Sequence, residues 1–306
     1  MNCIFLKKIR MYHLQNDQLK VSIKHKGAEL CSIKNLKSNR EFVWQANENI
    51  WGSHAPNLFP IIGSMKEDSY YYNSELFKMP KHGFARHNDN FEVEEQSENR
   101  ICFTLKSNDE LRSYFPFEFE FSITYELKDN ILFLHHSVKN LDSKTMYFSL
   151  GGHPAFNCPL GDDESYTDYV LEFEKPEKSE SYLLNMTNGL VTNKTKPVFS
   201  NGNEIELKPD LFNEDALIFK DLSSRNVALK HKEKGTVLTV SFDGFPFLGI
   251  WAKPNAPYVC IEPWIGIADA EDTNQQLTDK EGVVSLKAAD EFKTTYSIEI
   301  DHSQLL

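Results

Sequence analysis

The stretch Phe117-Glu118-Phe119-Glu120-Phe121-Ser122-Ile123-Thr124-Tyr125-Glu126-Leu127 alternates apolar and polar residues without a break. Side chains on a strand point to its two faces in turn, so this segment is a strand with one face buried and the other wet. Lys128-Asp129-Asn130 supplies turn residues, and the apolar run Ile131 to Val138 follows at once, which makes the pair a hairpin. Working outward, short runs of the same kind occur at Lys20 to Ile23, Ala28 to Ile33, Phe91 to Glu95, Ile101 to Leu105, Val170 to Phe173, Val237 to Phe242 and Thr295 to Ile300. Clusters of Asn, Asp, Gly, Ser and Lys separate them, as turns require. No segment longer than two turns carries a 3.6-residue period with caps, and strands do not alternate with helices. The expectation is an all-β sandwich or barrel of antiparallel strands, with residues 1–306 forming one domain and the polar stretch Glu174 to Asn203 forming surface connections.

The composition narrows the class of function. With 33 basic against 45 acidic residues the net charge is -12, and no window supplies the basic stripe that nucleic acid or an anionic lipid surface demands. Neither is an expected partner. A neutral polyol bound in a local pocket is indifferent to that global sign. The five cysteines, Cys3, Cys31, Cys102, Cys158 and Cys260, are odd in number and lack C-x-x-C spacing, so neither a disulfide framework nor a zinc motif is indicated. The run Ile4-Phe5-Leu6 is too short for a signal-peptide core, and nothing approaches the roughly 18 apolar residues of a membrane span. A cytoplasmic protein is expected.

Four segments break the alternation by setting polar or ionisable residues beside Gly, Pro and aromatics. Trp51 to Gly63, WGSHAPNLFPIIG, must follow an irregular path; its plainer reading is a long buried loop. In KHGFAR, Lys81 to Arg86, Gly83 permits a tight turn between a histidine and an arginine that donate to one ligand, although a surface His and a salt-bridged Arg would read the same. GGHPAFN, Gly151 to Asn157, places a histidine at a strand end behind two glycines, where a core histidine is the alternative. In YVCIEPWIGIAD, Tyr258 to Asp269, Glu262 stands inside an apolar run. A buried carboxylate neutralises, pairs or works, and desolvation lifts it towards general-base strength. The alternative is an ion pair with an arginine such as Arg86. His135 and His136 are adjacent on a strand, so they face opposite ways and share no metal. Asp162-Asp163-Glu164 reads as a solvated loop.

In this order KHGFAR, GGHPAFN and CIEPW resemble the galactose mutarotase-like (aldose 1-epimerase) family, most closely its LacX-like branch, and the likeness runs from GAELCSI at Gly27 to Ile33 through PNLFPIIG to CIEPWIGIAD. The resemblance implies a large antiparallel β-sandwich with few short helices. It implies His153 as general acid on a sugar ring oxygen, Glu262 as base on the anomeric hydroxyl, and His82 and Arg86 as substrate binders. Asp215 matches an aspartate that binds sugar hydroxyls, and Asn57 and Trp264 join the candidate sugar contacts. Opening a hemiacetal removes a proton from the C1 hydroxyl while delivering one to the ring oxygen, so an acid and a base must flank that unit. Such chemistry requires no metal, nucleotide or other cofactor. The expected partner is a small sugar, and the expected assembly a monomer or homodimer.

The hexose-6-phosphate branch carries an arginine shortly before its Pro-x-x-Phe-Pro segment, where this chain reads Gly52-Ser53-His54-Ala55. A free hexose is therefore the preferred substrate, with a hexose 6-phosphate as the alternative. A sugar-binding protein without turnover remains a competing class. A glycoside hydrolase needs two carboxylates, for which only Asp215 and Asp243 stand second to Glu262.

Overall fold

The computed structural model describes residues 10–306. The hairpin forms as read: Phe119–Lys128 pairs antiparallel with Ile131–Asn140, in a register running from Phe119 opposite Asn140 to Lys128 opposite Ile131. These strands are the middle of a nine-stranded sheet whose order is Glu204–Glu206, Tyr169–Phe173, Asn226–His231, Gly235–Ser241, Glu291–Ile300, Ile131–Asn140, Phe119–Lys128, Arg100–Lys106, Glu92–Gln96. A second, eight-stranded sheet is ordered Val191–Lys196, Ser181–Leu184, Leu217–Phe219, Phe247–Trp251, Tyr258–Ile265, Leu150–Gly152, Asn57–Leu58, with Ala155–Asn157 also paired to Tyr258–Ile265. One core cluster draws on both sheets, with Phe119, Phe121 and Ile123 from the first and Leu248, Ile250 and Ile261 from the second. The architecture is thus a sandwich rather than a barrel. The single α-helix among the described residues, Asp109–Tyr114, starts on Asn108, whose side chain accepts from the Leu111 N–H at 2.9 Å.

The two sheets differ in a way that places the site. Ile131–Asn140 alternates strictly between buried and half-buried positions, as a sheet with one wet face must. Tyr258–Ile265 is buried at every position. Its second face lies under a separate apolar cluster that includes Leu58, Ile62, Ile218, Phe247, Trp264 and Ala268. Loops therefore cover the outer side of this sheet, and the ionisable residues gather beneath them.

Among those loops is WGSHAPNLFPIIG, which proves to be deeply anchored: Phe59 is fully buried and stacks on Phe121, with ring centroids 4.4 Å apart and an interplanar angle of 12°. Removing such a ring costs about 3–5 kcal/mol, so the loop is as fixed as the strands around it. The stretch Glu174 to Asn203 departs from expectation. It contains the strands Ser181–Leu184 and Val191–Lys196, which extend the eight-stranded sheet to its edge. In the outer strand Thr192, Asn193, Lys194 and Thr195 are half-buried or exposed, as the unpaired edge of a sheet demands, and that polarity hides the strand from a reading based on alternation.

Candidate active site

Glu262 sits midway along Tyr258–Ile265, opposite Gly249, and is 1% exposed. Gly249 is required there: a Cβ on it would lie 2.3 Å from the indole of Trp264, which occupies the space beside the carboxyl. His153 reaches the same point from the segment between Leu150–Gly152 and Ala155–Asn157, both of which pair with the Glu262 strand. Its backbone is held on both sides by the buried loop, because His153 N donates to Pro56 O at 3.0 Å and Ala155 N to His54 O at 3.0 Å. The imidazole stacks on Trp51 at 5.1 Å, and its Nε2 lies 3.2 Å from Glu262 Oε2. Neither Glu262 Oε2 nor His153 Nδ1 has a well-formed hydrogen bond within the protein.

KHGFAR supplies a third wall. His82 and Gly83 both have positive φ, 65° and 73°, and the turn lies so close to Phe59 that a Cβ on Gly83 would meet its carbonyl at 2.2 Å. Only glycine fits that contact. His82 Nδ1 accepts from Gly63 N–H at 3.1 Å, which puts the proton of the neutral ring on Nε2. Its ring meets that of His153 edge-on at 5.6 Å. Arg86 lies in the short 3-10 turn that follows, and its Nε has no hydrogen-bond partner.

Electrostatically the centre is a buried pair of opposite tendencies. Burial pushes the Glu262 carboxyl well above its usual range, a tendency that the positive charge of Lys81 opposes and Asp215 reinforces. Burial, aided by Arg86, pulls His153 down to about 3, and burial together with His153 lowers His82 well below its ordinary value. Adjacent groups so displaced hold protons jointly rather than singly.

These side chains open into a cavity of about 380 Å³, lined by His82, Arg86, His153, Asp215, Glu262 and Trp264 among others. Six of the seven candidates from sequence therefore converge. Asn57 does not: its amide donates to Gly27 O at 3.0 Å, Ala28 O at 2.9 Å and Tyr125 Oη at 3.2 Å, and it is 1% exposed. The expected sugar contact finds no support here, because both amide protons are engaged by backbone carbonyls and Asn57 is not among the residues lining the cavity. The envisaged Glu262–Arg86 ion pair is also absent among the described residues, His153 being the basic group in contact. Sequence reasoning passed over Lys81, Trp251 and Met186, which line the cavity. Lys81 lay within KHGFAR and was legible; the other two carried no local signal.

Glu29 was also overlooked, though it stands in the quoted GAELCSI. Buried and ion-paired to Lys24 at 2.7 Å, it accepts from His54 N at 2.6 Å and Ala55 N at 3.0 Å, fixing the loop that grips His153. These bonds outweigh its burial and hold its carboxyl down at about 2.

A two-sheet sandwich with a buried carboxyl–imidazole pair lining an aromatic-walled pocket is thus on hand, and the chain belongs to the aldose 1-epimerase family, whose profile matches residues 10–276. It is similar to the LacX protein of Lactococcus lactis subsp. lactis, 36% identical over 295 residues that cover 94% of this chain and 98% of the relative. Its fold is similar to that of a galactose mutarotase related enzyme from Lactobacillus acidophilus, with TM-score 0.89, 37% identity, and coverage of 96% and 98% of the two chains. A galactose mutarotase-like protein from Lactobacillus casei gives TM-score 0.89 and 32% identity, covering 95% of this chain and all of that one.

Proposed function

We propose that the protein is an aldose 1-epimerase that interconverts the α and β anomers of a hexose, with Glu262 as the base and His153 as the acid. The observation that carries this reading is the 3.2 Å separation of His153 Nε2 and Glu262 Oε2, both lining the cavity. The anomeric hydroxyl and the ring oxygen of a sugar share one carbon, so the groups serving them must themselves be neighbours. Glu262 takes the hydroxyl proton as His153 gives one to the ring oxygen; after rotation about C1–C2 the reverse transfer closes the other anomer. One proton shared by the pair suffices for both directions. His82 Nε2–H and the Arg86 guanidinium donate to sugar hydroxyls, Asp215 accepts from them, and Trp51, Trp251 and Trp264 offer apolar faces to the ring.

One specific observation favours phosphorylated hexoses as a second reading. Lys81 and Arg86 both line the cavity, and neither has an ion-pair partner within the described residues. Two cations lining the cavity suit a dianion, although the arginine expected before Pro56 is missing. Polarimetry of freshly dissolved α-glucose and α-galactose, beside hexose 6-phosphates, tests both readings. The enzyme is expected to speed the approach to anomeric equilibrium for at least one of them. Unchanged rates across the panel would overturn the assignment, and a preference above about tenfold for the phosphates would select the second reading.

A further inference from the structure

We propose that His153, Cys260 and Glu262 form a capture site for a borderline-soft divalent cation such as Zn²⁺, and that filling it blocks the sugar chemistry. The second half of this statement rests on the catalytic reading above; the first does not.

Cys260 and Glu262 are two residues apart on Tyr258–Ile265, so the pleat directs both to the same side of the sheet. The intervening Ile261 N–H donates to Pro154 O at 3.1 Å, which ties the residue after His153 to the strand between these two side chains. One ligand atom from each of the three, sulfur, nitrogen and carboxylate oxygen, lies within 4.8 Å of the others. Tetrahedral zinc holds such ligands at about 2.0–2.3 Å, hence roughly 3.5 Å from one another, a distance reached by small side-chain rotations. Three protein ligands with a fourth position open to the cavity is the arrangement of zinc sites that bind an exchangeable ligand.

A second observation points the same way. Apart from the 3.2 Å approach of His153 Nε2 to Glu262 Oε2, neither Glu262 Oε2 nor His153 Nδ1 has a partner though both are buried, so polar atoms at this centre retain free lone pairs or protons. The donor set decides the ion. A thiolate, an imidazole and one carboxylate suit Zn²⁺, whereas Mg²⁺ and Ca²⁺ require oxygen shells that this centre does not supply. Coordination ejects the thiol proton, as binding to any Cys ligand must, and leaves the cation holding it as thiolate. Neither the acid nor the base remains free while the ion is bound, so cation and sugar exclude each other. Cys260 takes no part in the proton transfers and does not line the cavity, which makes it the residue that separates the two activities.

Cobalt(II) alone, added to the metal-free protein, is the probe. It is expected to give a thiolate-to-cobalt charge-transfer band in the near ultraviolet and the intense visible bands of a four-coordinate ion, both erased by Zn²⁺. Cys260→Ser, with Cys260→Ala as a second variant, should lose the charge-transfer band and bind Zn²⁺ at least roughly 100-fold more weakly. In polarimetry Zn²⁺ should slow the wild type, added sugar should relieve it, and both Cys260 variants should keep turnover within about twofold while resisting the metal. Absence of the band, equal Zn²⁺ affinity in wild type and variants, or full turnover by the zinc-loaded protein would overturn the proposal. If the wild type accelerates no sugar, the epimerase assignment fails and the cobalt spectrum still decides the site.

Discussion

At the scale of single residues, the carboxyl of Glu262 gains its character from what surrounds it rather than from a partner. Burial raises it and lowers His153, so the ionised pair is disfavoured and the two groups hold their proton jointly. Glu262→Gln is then nearly isosteric: turnover should fall by about 10²–10⁴-fold while the thermal midpoint stays close to wild type. The pH profile of kcat/KM follows from the same pair. A second proton enters only near the depressed value of His153, about 3, and the last one leaves only at the raised value of Glu262. Activity should therefore be flat across mildly acidic pH and decline only as pH climbs towards the raised value of Glu262; a collapse between pH 6.5 and 5 would mean that an ordinary histidine controls it. Asn57 makes the opposite kind of prediction. Because its amide serves Gly27, Ala28 and Tyr125, Asn57→Ala should cost about 1–3 kcal/mol in urea unfolding and leave KM nearly unchanged.

At the scale of elements, the strand Ile131–Asn140 and the loop before His153 show what a sequence discloses. Strict alternation made the hairpin legible to within two residues, since burial on one face writes a period of two directly into the chain. Glu262 and His153 were legible for a different reason, as polar groups in apolar or glycine-flanked company. The strand Val191–Lys196 was not, because an edge strand exposed to water has no apolar period to display. Asn57 was not decidable, because a buried amide that satisfies carbonyls and one that meets a ligand look alike until the partners are known. His136 could be placed on a face but not judged. It lies within the core, stacked near Phe121 at 6.2 Å and Tyr296 at 5.7 Å, with neither ring nitrogen hydrogen-bonded. His136→Phe should raise stability by about 1 kcal/mol, measured by denaturant unfolding at neutral pH. Across the site, the Tyr258–Ile265 strand needs Gly249: Gly249→Ala would displace the Trp264 indole and lower kcat/KM by roughly 10–100-fold.

For the whole molecule, the two sheets bury ionisable groups whose shifts set its tolerance of pH. His136 and His153 are held down at about 3 and His82 well below its ordinary value, so their neutral burial favours the fold fully above about 6.5 and less as pH falls from there. Glu29, held at about 2, adds stability above about 4.5 that is lost on further acidification. Glu262 acts in the other sense: its raised value favours the fold at low pH and penalises it as pH climbs towards that value. The histidines make stability rise as pH climbs to about 6.5, while Glu262 subtracts from it as pH rises from about 4.5 towards its raised value; in Glu262→Gln that subtraction should vanish, as thermal unfolding across pH would record. The fold thus tolerates at its centre a buried pair to which the proposed function gives a chemical role. Anomeric exchange of a hexose, followed by magnetisation transfer in wild type, Glu262→Gln, His153→Asn and the double variant, tests that most directly. If the two residues act as one unit on one sugar carbon, each single change removes nearly all enzymatic exchange and the double change costs no more than the worse single. Retention of the wild-type exchange rate in either single variant would contradict the account.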